Sequence, residues 1–194
     1  MTLFFACFIP LLVAVDPLGI IPVYLGLTEG MAPKELRRVI VYTISTAAAV
    51  AILFLSLGKG IFIFIGISEN DFRIAGGIIL LLISLDMVLS GHERLQRWDR
   101  SIGVVPLGVP LIVGPASITT MLIQIDTYPL YWVIASLVVN LSIVALVFIY
   151  SRHIARVLGN GGMTALSRIV GLFLAAIAVM MMRVGIQGAF GIGR

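Results

Sequence analysis

Val15-Asp16-Pro17-Leu18-Gly19 and Val113-Gly114-Pro115-Ala116-Ser117 interrupt two long apolar runs, with their prolines 98 positions apart. Asp16-Pro17 and Gly114-Pro115 each have the form of an N-cap residue followed by proline at the first helical position, so each marks a fresh helix start inside its run. The surroundings decide what solvent those starts face. Hydrophobic residues make up 60% of the 194-residue chain and charged ones 11%, and the mean hydropathy is +1.16. An ordinary soluble domain carries about 25% charged residues, so this chain lacks the polar material to cover itself and must lie largely in lipid.

A bilayer core of about 30 Å needs roughly 20 apolar residues at about 1.5 Å each. Six runs meet that measure, at residues 3–27, 39–58, 74–90, 102–124, 130–150 and 167–190. The first has no basic leader and no small-residue cleavage site, which favours a mature span over a signal peptide. Ile61 to Ile67 is too short to cross and reads as a separate interfacial helix. The expected fold is therefore an all-α polytopic membrane protein, a single transmembrane domain over residues 1–194.

Cytoplasmic loops are enriched in Lys and Arg. Nine of the 13 basic residues fall in three loops, 28–38 (Lys34, Arg37, Arg38), 91–101 (Arg94, Arg97, Arg100) and 151–168 (Arg152, Arg156, Arg168). These loops are expected on the cytoplasmic side of a plasma or inner membrane, with both termini outside. Lys59, Arg73, Arg183 and Arg194 fall on the other side. The net charge of +4 forms no basic stripe, so nucleic acid is not an expected partner; the lipid bilayer is.

The halves echo each other. Besides the prolines, Arg73-Ile74-Ala75-Gly76 opens the third run and Arg168-Ile169-Val170-Gly171 the sixth, 95 positions apart. Three spans per half is an odd number, so the halves enter the membrane from opposite sides. Two inverted three-helix repeats follow, about 1–97 and 98–194, with the first and fourth helices broken. Inverted repeats with Gly/Pro-interrupted helices in matching positions are a common architecture of secondary transporters.

A helix start leaves backbone donors unpaired and attracts anions. The candidate site follows: Asp16, Pro17, Leu18 and Gly19 at one break, and Gly114, Pro115, Ala116 and Ser117 at the other, with Thr119 and Thr120 as further hydroxyl donors. Gly114 contributes no side-chain acceptor and leaves its helix end open to a carboxylate. Asp16 offers a charge to an ammonium group, a proton or a cation, and a small zwitterion fits between the two. The alternative for Asp16 is a structural cap alone, against which stands a cost of about 2.5–3.5 kcal/mol for a charge at this depth. Asp86 and Asn140 are further coupling or gating candidates; their structural alternatives are an ion pair with Arg94 or Arg97 and an interhelical hydrogen bond. Arg183 is expected to snorkel to the outer face. Ser45 with Ala49, and Gly171 with Ala175, read as close helix packing.

No enzyme motif stands out: there is no His-Glu-x-x-His, phosphate loop or activated serine, and Asp16 with Asp86 is the carboxylate pair an intramembrane hydrolase would need. Lone Cys7 and two histidines provide no metal-ligand set, so no cofactor or metal is expected. A coupling ion is, a proton first and sodium second.

Val15-Asp16-Pro17-Leu18-Gly19-Ile20-Ile21-Pro22, Phe72-Arg73-Ile74-Ala75-Gly76-Gly77-Ile78-Ile79-Leu80, Leu85-Asp86-Met87 and Pro110-Leu111-Ile112-Val113-Gly114-Pro115 together resemble the MarC family of integral membrane proteins over essentially the whole chain. The resemblance implies six spans, a plasma or inner membrane location, a grouping with LysE-type amino-acid exporters and, for some members, transport of glycine and alanine. The family pattern after the fourth-span break is usually Gly-Pro-Gly, where this chain has Ala116. Members also tend to carry a glutamine where this chain runs Val179-Met180-Met181-Met182.

The function expected is secondary transport of small neutral amino acids, proton-coupled, by alternating access between repeats. The alternatives are an amino-acid exporter and a non-transporting membrane component or regulatory partner; a homo-oligomer is compatible with a chain this small. The charge count is open to direct test: a cysteine introduced by Arg97→Cys should react with an impermeant thiol reagent from the cytoplasmic side, and labelling from outside alone would overturn the orientation.

Overall fold

A computed structural model describes residues 2–28, 30–90 and 112–191, and among these all regular structure is helical. The elements are α1 (Thr2–Val15), α2 (Ile20–Leu27), α3 (Pro33–Ile65), α4 (Glu69–Ser90), α5 (Pro115–Thr127), α6 (Leu130–Gly159) and α7 (Gly161–Phe190). Four are long and apolar enough to cross a membrane, over Pro33–Gly58, Glu69–Leu89, Leu130–Gly159 and Gly161–Phe190. The first expected span is broken, as its proline pattern predicts, into a tandem of short helices, α1 and α2. Of the fourth, 102–124, the part before residue 112 lies outside the described residues.

The long helices overrun the spans expected from hydropathy. Pro33 occupies the first turn of α3, and Glu35 accepts the N–H of Ala32 at 2.8 Å. The helix then continues through Gly58 and Gly60 to Ile65, so Ile61 to Ile65 is its last turn rather than a separate interfacial piece. It ends at Gly66, which adopts φ 78° and donates to Phe62 and Ile63 carbonyls, with Ile67 N–H also on Phe62 O. Only glycine takes that left-handed geometry at little cost. Ser68 and Asp71 then form a reciprocal capping box that starts α4.

Likewise 151–168 is not a loop. α6 and α7 carry helix through Arg152, Arg156 and Arg168 and meet at Gly159 (φ 64°, ψ 178°). Charge ends a membrane span without ending a helix, because the backbone ladder is indifferent to whether water or lipid surrounds it. Arg152 donates to Met31 O at 2.7 Å, which puts the end of α6 and the start of α3 at the same end of the bundle.

Each long helix buries one stripe and turns apolar residues outward. α7 buries Met163, Ser167, Val170, Leu174, Ala178 and Met181, while Leu172, Phe173 and Val179 stay exposed. A helix apolar all round with one buried face belongs in lipid. Its partner is chiefly α4, and the seam is antiparallel and built on small residues. A Cβ on Gly77 would lie 2.8 Å from Ala178 O, one on Gly171 3.2 Å from Ser84 O, and one on Gly185 2.8 Å from Asn70 O. Such backbone approach maximises packing where no hydrophobic force acts between helices. Gly171 thus packs as expected, but Ser45 and Ala49 are exposed, and α3 buries Thr43, Ala47 and Ala51 instead. Small residues line more than one face of α3, so spacing alone did not choose between them.

Gly77→Ala should force this seam apart at an overpacking cost of about 1–3 kcal/mol, read as a melting temperature lower by about 2–12 °C for a chain of this size. Gly161→Ala, where an added Cβ meets nothing within 4 Å, should leave it unchanged or slightly raised.

Candidate functional site

The first break is made by three residues. α1 ends at Val15, and Asp16, whose N–H still bonds Leu12 O, turns into the left-handed region at φ 44°. Asp and Asn tolerate that region best among non-glycine residues, at about 1–2 kcal/mol. The turn brings the carboxylate back over the chain, where Asp16 Oδ1 accepts the N–H of Gly19 at 3.1 Å. A Cβ on Gly19 would overlap the Asp16 carboxylate, so the aspartate and the glycine are one device. The helix resumes at Ile20, not at Pro17 as the N-cap pattern suggests; Pro17 to Gly19 form a turn that the carboxylate caps. The Tyr24 ring stacks on Phe148 of α6, centroids 4.1 Å apart, and Thr28 Oγ1 donates to Tyr24 O, which holds short α2 in place.

The second break follows the expected form. Gly114 is extended (φ −97°, ψ −177°), Pro115 is the first helical residue, and Ile118 N–H closes the first turn on Gly114 O at 2.9 Å. The hydroxyls behave differently from expectation. Ser117 Oγ donates back to Ile112 O and Gly114 O, and Thr120 Oγ1 to Ala116 O, so neither proton is free for a ligand. Serine and threonine within a helix satisfy themselves on the preceding turn. Thr119 Oγ1 is the exception: it is buried, with no hydrogen-bond partner among the described residues.

The two breaks meet. One cavity of about 580 Å³, including its open mouth, is lined by Asp16, Gly19, Gly114, Pro115 and Ala116 together with the small face of α4 at Gly76. Its remaining wall is aliphatic, from Ile20, Ile79, Ile83, Leu174 and Ile177. Thr119 and Thr120 line a neighbouring cavity, whereas Pro17, Leu18, Ser117, Asp86 and Asn140 line neither. Asp86 sits partly buried on α4, and Arg94 and Arg97, its expected partners, lie outside the described residues. Chemically, the cavity sets a carboxylate and a glycine-capped helix start, equivalent to about +0.5 charge, in one apolar chamber.

Two residues that sequence patterns do not single out for a site matter here, Gly76 on the cavity wall and Gln124, which braces α1 away from it. A Cβ on Gly76 would overlap the Pro115 ring, so the second break rests directly on α4. Gln124 is buried and its Nε2 donates to Cys7 O at 2.8 Å, while Asn140 Nδ2 reaches Phe8 O at 3.5 Å and its own helix at Ser136 O. Pro10 lacks the N–H that would serve Ala6 O and disturbs this part of α1. Polar side chains on α5 and α6 thus satisfy carbonyls beside the proline. Asn140 takes the interhelical role that was its structural alternative.

Fold and cavity together define a polytopic membrane protein in which the interruption between α1 and α2 meets the start of α5 at one cavity. The chain belongs to the MarC family of integral membrane proteins, whose family model matches residues 1–190. It is similar to a UPF0056 membrane protein of Methanocaldococcus jannaschii, 37% identical over 90% of this chain and 91% of the relative. In Escherichia coli it is similar to the UPF0056 membrane protein YhcE, at 30% identity over 96% of this chain and 93% of the relative. The UPF0056 inner membrane protein YhgN is also 30% identical, over 91% and 92%. No solved structure matches.

Gln124→Leu removes the donor from a buried carbonyl and should lower stability by about 1–3 kcal/mol. Asn140→Leu, whose contact with α1 is the longer one, should cost less; a thermal melt of the two variants in detergent checks the order.

Proposed function

We propose that this MarC-family protein is a secondary transporter of small neutral amino acids, of glycine or alanine size, driven by protons. The observation that carries the reading is the convergence of Asp16 and the Gly114 helix start on one cavity. The substrate carboxylate binds at the start of α5, its ammonium group or the coupling proton at Asp16, and its side chain against the aliphatic wall. The close approach of Gly76 to Pro115 leaves no room for a bulky substrate at that point. Sodium at unwound carbonyls is the second choice of coupling ion, and an exporter uses the same site in the opposite direction.

The reading includes six passes in two inverted repeats. Supporting it, Met87 and Met182 stand 95 residues apart on antiparallel α4 and α7, and each lies against a glycine of the other helix, Gly171 and Gly77. The same interval separates Arg73 from Arg168. Movement between the two halves about this seam exposes the cavity to alternate sides. The protein resides in the plasma membrane with the Arg152 end cytoplasmic and both termini outside; of the relatives, YhgN is named an inner membrane protein. We assign it no enzymatic step: Asp16 lines the cavity and Asp86 does not, so the carboxylate pair of a hydrolase is not brought together there.

The test is uptake of labelled glycine and alanine into proteoliposomes under an imposed proton or sodium gradient. The wild type should accumulate substrate, Asp16→Asn should lose accumulation at least tenfold, and Gly114→Leu should lose it while still inserting and purifying normally. No flux in the wild type under any gradient would turn the reading to a non-transporting membrane component.

A further inference from the structure

Beside the Asp16 cavity lies a second and larger one, about 970 Å³ including its mouth, between α1, α4, α5 and α7. On all four helices its lining is shifted away from the Arg152 end: it reaches back to Ile9 on α1 and Arg73 on α4, and on to Ile123 on α5 and Val184 on α7. Its walls are aliphatic but for two features. The first is Arg73, whose Nη1 donates to Asn70 Oδ1 at 3.3 Å. A guanidinium carries five N–H donors in a planar fork, and among the described residues no carboxylate takes the others. The second is Thr119, which is 4% exposed and whose Oγ1 has no partner among the described residues. By charge count Arg73 marks the outer side of the membrane; the structure puts it, half-buried, on the wall of an open cavity between four helices.

An unfilled fork on the wall of an apolar cavity, with a hydroxyl buried behind the same wall and unpartnered among the described residues, matches a planar anion with a hydrocarbon body. A single arginine balances one negative charge, which fits a carboxylate better than a doubly charged phosphate. Val13, Ala14, Ala116, Ile177 and Met181 line both cavities, so Arg73's cavity and the one at the Gly114 helix start share a wall. We propose that the second cavity binds a small aliphatic monocarboxylate through Arg73 and the Thr119 hydroxyl, and that it is the docking station from which a substrate carboxylate passes to Gly114. The docking role rests on the transporter reading; the binding site does not.

The experiment is equilibrium dialysis of labelled butyrate and labelled butylamine against the full-length protein in phosphatidylcholine nanodiscs. Butyrate should bind saturably and butylamine should not. Arg73→Gln should weaken butyrate at least tenfold and Thr119→Val several-fold, with Arg73→Lys between Gln and wild type because it keeps the charge and loses the fork. Arg183→Gln, which removes an exposed cation on the same helix bundle end, should leave the affinity unchanged. Absence of saturable butyrate binding in the wild type, or equal affinities in Arg73→Gln and Arg183→Gln, overturns the site; should Arg73→Gln fail to fold, indifference of both Thr119→Val and Arg73→Lys does so. Repeating the titration in phosphatidylglycerol nanodiscs separates a free carboxylate from a lipid headgroup: retained affinity supports the proposal, and a loss greater than tenfold assigns Arg73 to lipid and overturns it. Alanine uptake measured in parallel separates the two readings. Arg73-dependent butyrate binding without uptake keeps the site and removes its docking role, and uptake with butyrate binding indifferent to Arg73 removes the site and keeps the transporter.

Discussion

Inside a bilayer a backbone N–H or C=O that leaves its helix must find a partner within the protein, because lipid offers none. Everything distinctive in this chain follows from that constraint acting at two proline-marked breaks and one proline kink. At Asp16 the side chain itself replaces the missing partner, folding back onto Gly19 N–H, and the absence of a Cβ at Gly19 makes room for it. At Gly114 no side chain does so, and the start of α5 remains an electropositive end facing a cavity. Near Pro10, side chains of other helices reach the carbonyls of α1, Gln124 to Cys7 O and Asn140 to Phe8 O.

A helix interrupted at Asp16 and a helix start at Gly114 need a rigid frame, and α4 with α7 provides it. Their seam brings backbones close through Gly77, Gly171 and Gly185, with Met87 and Met182 packed against the glycines of the opposite helix. The same glycine row reaches the site at Gly76, where α4 carries the Pro115 ring. Packing and chemistry are therefore coupled at one residue: the approach that sets the frame also sets where the α5 terminus points.

Much of this was legible in the residues. Apolar run length gave the continuous spans, and the Asp-Pro and Gly-Pro pairs marked where α1 ends and where α5 starts, because proline and capping preferences are local; that α2 resumes only at Ile20 was not written in the Asp-Pro pair. Helix ends were less legible. Hydropathy measures where lipid stops, whereas α3, α6 and α7 continue as helix past Lys59, Arg152 and Arg168 until a glycine intervenes. The hydroxyl row at Ser117, Thr119 and Thr120 looked uniform in sequence and proved divided, since which oxygen meets a preceding carbonyl depends on rotamer and neighbours.

The sequence by itself determined that this is an all-helical membrane protein of the MarC family, with helices interrupted at Asp16 and Gly114; composition, run length and local backbone preference are properties of neighbouring residues and need no fold to act. Only the tertiary structure decided that the two interruptions share a cavity, that Gly76 supports one of them, that Gln124 serves α1, and that Arg73 lines a second chamber. Those are distances between segments far apart in the chain, fixed by which small residues let which helices touch.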